Sequence, residues 1–120
     1  MSYTVKIKVE MKASCFESLY QSFRKLNWLI VHLDEYRFIA TSSKSGSSIT
    51  GILIKEEDRI ELSTDSDYTR EIEKELGVQL NLLKQEYTCQ VLETDINSQG
   101  GYITRTVDAE QNVCIEAYLS

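Results

Sequence analysis

From Tyr3 to Met11 apolar residues fall at every second position against Thr4, Lys6, Lys8 and Glu10, the period-two signature of a strand with one packed face. Ser14 then precedes Glu17 by three residues, a capping-box spacing, and Phe16, Leu19, Tyr20, Phe23 and Leu26 follow at helical intervals. Together they predict a helix over about 15–26 with that stripe on the core. Trp28 to Leu33 reads as a strand, Asp34-Glu35 as a turn and Tyr36 to Thr41 as the returning strand, because β-branched and aromatic residues fill both runs. The serine-rich run from Thr41 to Ser48 has nothing to bury and predicts a mobile loop. Ile49 to Lys55 and Arg59 to Ser63 predict a second hairpin around Glu56-Glu57-Asp58.

Asp65 or Ser66 can cap the next helix, in which Tyr68, Ile72 and Leu76 recur every four residues until Gly77 weakens or bends it. Beyond Gly77 one stripe holds Leu80, Leu83, Tyr87 and Val91, and another holds Leu82, Cys89, Leu92 and Ile96. Two stripes imply burial over a wide arc, which predicts a helix lying centrally across the sheet. Gly100 and Gly101 then end it, and Tyr102 to Val107 and Val113 to Leu119 are the last two strands. The elements predict a single α+β domain over residues 1–120. Its antiparallel-rich sheet has six or seven strands in the order β-α-β-β-β-β-α-α-β-β, with helices packed on one face in a ferredoxin-like arrangement.

The stretch QEYTCQVLETDINSQGGYITRTVDAEQNVCIEAYL resembles the C-terminal half of an uncharacterised cyanobacterial and plastid family, the hypothetical chloroplast reading frame thirty-five family. The matching steps are Gln85-Glu86-Tyr87, Val91-Leu92-Glu93, Gln99-Gly100 and the closing hairpin. The shorter central region, with Tyr68 in its acidic stretch, departs from the family. The resemblance implies an accessory protein and carries over no catalytic residue.

Composition narrows the function classes. A chain of 120 residues with 42% hydrophobic content can bury roughly 65% of its unfolded surface, enough for one core without staples. No apolar run is long enough to span a bilayer, and the alternating N-terminus is unlike a signal peptide, so the expectation is a cytoplasmic protein without membrane association. The net charge of −6 is polarised: residues 1–50 carry seven Lys/Arg against four Asp/Glu, and residues 51–120 six against fifteen. That sign disfavours nucleic acid. Lys6, Lys8 and Lys12 on one strand face read as a solvated edge.

Cys15, Cys89 and Cys114 form no CxxC pair, and His32 is the only histidine, so neither a disulfide framework nor a zinc site is expected. His32 shares a strand face with Trp28 and Ile30. A hydrolase would need it to meet Cys15 and a carboxylate such as Asp34 or Glu35. Ser43, Lys44, Ser45 and Gly46 could offer backbone N–H groups to an anion, although Lys44 precedes Gly46 and the P-loop order is absent. Asp65 and Asp67 are oxygen donors of the kind hard cations take, but EF-hand spacing fails and helix capping already explains them.

No catalytic, cofactor or metal residues are assigned. The first functional expectation is a non-catalytic module acting through a protein partner, with homodimerisation as one form of association. The second is a domain seating an anionic or aromatic small molecule between the serine loop and Trp28, His32 or Tyr36.

Overall fold

The computed structural model describes residues 3–7, 11–107, 109 and 113–119. Four strands follow one another as hairpins: β2 (Trp28–Asp34), β3 (Arg37–Ser42), β4 (Ser48–Ile54) and β5 (Arg59–Asp65). Each local turn has its own chemistry. Asp34 accepts from the Tyr36 N–H (2.8 Å) and from Arg37 Nε (2.8 Å), which tightens the first turn by an Asx-type closure. Asp58 adopts a left-handed conformation (φ 49°) to close the β4–β5 turn.

The first strand, β1 (Thr4–Ile7), returns beside β5, antiparallel from Thr4 opposite Asp65 to Ile7 opposite Leu62. The sheet order is β1-β5-β4-β3-β2, with every neighbouring pair antiparallel. Helix α1 (Phe16–Lys25) carries the chain between the two edge strands. This departs from the expected ferredoxin-like arrangement. There the order is β-α-β-β-α-β, whereas here three strands separate β1 from β2 and the second helical region comes only after β5.

Alternation puts Trp28, Ile30, Phe38, Ala40, Ile49, Ile60 and Leu62 on one sheet face, where they meet Phe16, Leu19 and Phe23 of α1. The ring of Phe38 is the hub, with Phe16 at 5.4 Å, Phe23 at 5.9 Å and Tyr20 at 6.3 Å between centroids. Across the sheet from Phe38 stands Gly51, where an added Cβ would lie 2.3 Å from the Phe38 ring. The glycine is therefore the seat for that ring. Helix α2 (Thr69–Leu76) adds Ile72 and Leu76 to the same cluster.

The capping box expected from Ser14 and Glu17 is not formed. The helix begins with a 3-10 turn over Ala13–Cys15, Cys15 makes no side-chain cap, and the Ala13 N–H is taken by Asp58 Oδ1 (3.1 Å). A carboxylate 45 residues away thus replaces the local cap. The Asp65 cap does form, accepting from the Asp67 N–H at 2.9 Å.

Helix α3 (Asn81–Ser98) corrects a further expectation. It packs across α1 and not centrally on the sheet, and only Leu83 and Cys89 are fully buried. Its other side carries a separate two-stranded sheet, β6 (Tyr102–Val107) with β7 (Val113–Tyr118). The seven strands therefore divide into five and two. The apolar stripes of α3 serve two partners, which is why they looked like one broad buried arc. At the helix exit, a Cβ on Gly101 would come within 2.3 Å of the Tyr118 carbonyl and 2.9 Å of Ile96. The chain can pass from helix to hairpin only without a side chain there.

Arg105 locks the hairpin onto the helix by a bidentate pair to Glu86 (2.8 and 2.9 Å) and a contact to Glu93 (3.2 Å). The arm gives an extended outline: the radius of gyration is 15.1 Å, against roughly 13.6 Å for a compact chain of this length. No helix among the described residues is long and apolar enough to cross a membrane.

Candidate functional site

The sheet face opposite the helices has two halves. On β1 and β5 it is charged: Lys6 pairs with Glu61 (3.5 Å), and Arg59 pairs with Glu57 and with Glu61 (3.2 Å). Hydrogen bonding from Arg59 holds the Glu61 carboxyl below its ordinary range. On β2 the same face is apolar, and on β3 and β4 Ile39, Ile52 and Ile54 stand among Arg37, Thr41, Ser48 and Thr50. Leu29, Val31 and Leu33 on β2 are 65%, 57% and 49% exposed, and the register sets Val31 opposite Ile39. Ile52 and Ile54 of β4 continue the surface half-buried, and Tyr36 stands 40% exposed at the hairpin end.

No described helix covers this half: α1 and α2 both contribute to the core on the other face, and α3 stacks on α1. β2 is also an edge strand, so half of its backbone N–H and C=O groups face away from β3. Scattered exposed aliphatic residues are ordinary, whereas a contiguous apolar row on an open edge marks an interaction surface.

Sequence reasoning named none of these outward strand residues as candidates, and Tyr36 lies in the turn beside Lys55. The missed signal is the run WLIVHL, apolar at both odd and even positions, which is how a strand reads when both of its faces seek cover.

The serine loop is already occupied. Glu75 of α2 accepts from Ser42 Oγ and from Ser45 Oγ (2.7 Å), so the loop's anion is the protein's own carboxylate. With its single proton given to Glu75, Ser45 Oγ accepts from the Ser47 hydroxyl at 2.9 Å. The N–H groups of Lys44 and Ser45 point at Ser42 Oγ (3.1 and 3.2 Å), and Gly46 N–H at the Ser42 carbonyl (3.1 Å). Ser43 Oγ donates to the Asn27 carbonyl at 3.0 Å. Two of the serines, Ser42 and Ser47, are buried. The expected mobile loop is a closed hydrogen-bonded turn, and its donors face inward.

The sequence candidates therefore separate. Trp28, Ser43 and Lys44 line one cleft of about 330 Å³, joined by Lys25, Lys74 and Glu75, although Trp28 is itself buried against Phe23 (5.5 Å). His32 and Tyr36 lie toward the other end of β2: the His32 ring meets Tyr20 edge-on at 4.7 Å, and Tyr36 stacks under Lys55 Nζ at 4.6 Å. Asp65 and Asp67 are spent on the cap beside the β1 edge.

Burial pushes the Tyr87 hydroxyl well above its ordinary value of 10.0, and the neighbouring Cys15 adds to the shift. Burial likewise raises the Cys89 thiol above 9.0, with Arg105 pulling the other way. Cys15 and His32 share no hydrogen bond among the described residues. Among the described residues no three His, Cys, Asp or Glu side chains gather as metal ligands.

Taken as a class, this is an α+β domain with an open, half-apolar sheet face. Comparison with protein-family models, with curated proteins and with solved structures finds no match to the chain.

Proposed function

We propose that this domain is a non-catalytic interaction module, an accessory component that binds a protein partner on the apolar half of its outer sheet face. The supporting observation is the row Leu29, Val31, Leu33 with Ile39, Ile52 and Ile54, left uncovered beside an open strand edge. The half-sequence resemblance to the hypothetical chloroplast reading frame thirty-five family points the same way, toward an accessory role in a cytoplasmic or equivalent compartment. Covering such a surface contributes about 25 cal/mol per Å² of apolar area, before the cost of association.

Ile52→Glu tests it, because it removes an apolar member of that surface, between Arg37 and Glu61, away from the β2 edge. Native lysate passed over immobilised wild type and variant should yield a protein retained by the first and lost from the second, with both folded by circular dichroism. Recovery of the same proteins on both, or of none, contradicts the proposal.

A second function, binding of an anionic small molecule, rests on Lys25, Lys44 and Lys74 converging on the 330 Å³ cleft. Glu75 and the C-terminal end of α1 oppose an anion there, and lysines at a helix C-terminus have a stabilising role of their own. A thermal-shift screen with phosphorylated metabolites decides it: stabilisation abolished by Lys44→Ala supports the site, and no stabilisation by any of them removes it.

A further inference from the structure

The two edges of the five-stranded sheet are unlike. β1 carries Lys6 on its outer side, a usual device against strand pairing. β2 is seven residues long, and its outward row from Leu29 to Leu33 carries no charge. A bulge between His32 and Asp34 closes the regular stretch at the hairpin end and leaves Trp28 to His32 straight against β3.

The outward row is also symmetric. Leu29, Val31 and Leu33 read the same in both directions, so a second β2 laid antiparallel about a two-fold axis at Val31 sets Val31 against Val31, Leu29 against Leu33 and Leu33 against Leu29. Every outward pair is then aliphatic, the kind of cross-strand contact that stabilises a sheet. Ile30 meets His32 on the inner side.

An isologous contact requires such self-complementarity, because each residue must find its partner twice.

We infer that the occupant of the β2 edge is a second copy of this chain, paired antiparallel about Val31 so that two five-stranded sheets become one of ten strands. This deepens the proposed interaction function and rests on it. The two apolar outer half-faces then adjoin, and the surface offered to a protein partner doubles in width.

The test has two parts on the full chain. Sedimentation equilibrium of wild type should show a concentration-dependent species of two chains. Val31→Lys, at a position already 57% exposed, should shift the midpoint of association at least tenfold upward. Mild oxidation should crosslink Val31→Cys to itself, through a disulfide at residue 31 mapped by mass spectrometry. Leu29→Cys should crosslink only when Leu33→Cys is present as well.

A wild type that stays a single chain at all concentrations overturns self-pairing. So does a two-chain species that is unaffected by Val31→Lys, or one that crosslinks through other positions only. The capture experiment with Ile52→Glu reports separately on the partner surface: its failure beside a Val31-centred dimer would remove the partner and leave the self-pairing.

Discussion

One face of the sheet is closed and the other is half open, although both are built from the same alternating strands. The inner face is finished: Phe38, Ala40, Ile49 and Leu62 are fully or almost fully buried beneath α1 and α2, and no buried side-chain polar atom among the described residues lacks a hydrogen-bond partner. The outer face over β2 to β4 presents residues of the same chemistry to solvent. Hydrophobic residues thus do two jobs here, and only their cover distinguishes them. Stability belongs to the inner set and association to the outer set.

The largest expected effect lies at the hub of the inner face. Phe38→Ala should cost about 4 kcal/mol, through lost burial and the cavity left among Phe16, Phe23 and Tyr20. Urea denaturation measures it, and a loss below about 1 kcal/mol would break the distinction between the faces. Glu75→Ala comes next, at about 2 kcal/mol, because Ser42 and Ser45 lose a charge-assisted acceptor beside the buried Ser47. If the serine loop were a vacant anion site, the variant would be nearly neutral in stability.

Arg105→Met should release the hairpin more than the body. Exchange protection of β6 and β7 amides should fall severalfold while β3 and β4 amides keep theirs. At the small end, Leu29→Thr should change stability by less than about 0.5 kcal/mol in dilute solution, since the side chain is already exposed.

Alkaline pH probes two sides of α3, Tyr87 against the core and Cys89 on the face that holds Arg105. Cys89 and Tyr87 both hold their protons more tightly when folded than at their ordinary values of 9.0 and 10.0. Their stabilising contribution is complete below about pH 9 and declines as the pH rises toward the folded values, because the unfolded chain releases those protons first. Urea midpoints between pH 8 and pH 11 should fall, and Tyr87→Phe should lessen the fall above pH 10. A flat profile would contradict burial of these groups.

The course of the chain was largely legible from local pattern. Alternation marks β1, apolar and β-branched runs mark β2 to β5, and the Phe16-Leu19-Phe23 spacing marks α1, because each depends on neighbours a few residues apart. Contacts set by distant residues were not legible. Ser14 and Glu17 are spaced to cap each other's N–H groups, yet in the folded chain the bond at the helix start runs from the Ala13 N–H to Asp58. The serine loop carries its chemistry in plain view, yet its ligand Glu75 sits 30 residues beyond Ser45. The two stripes of α3 look like one wide buried arc until α1 and the hairpin are placed on different sides. None of the candidate residues falls on the outward strand row, and Tyr36 stands in the turn at its end. Leu29 and Val31 were passed over because a continuous apolar run looks like ordinary core.

Amide hydrogen exchange at the two sheet edges, followed as the protein is concentrated, tests most directly whether the β2 side is the one built to be covered. The edge-facing amides of β2 should gain protection with rising concentration while those of β1 stay unchanged. Exchange at β2 that does not depend on concentration, or equal protection at both edges, would contradict the account.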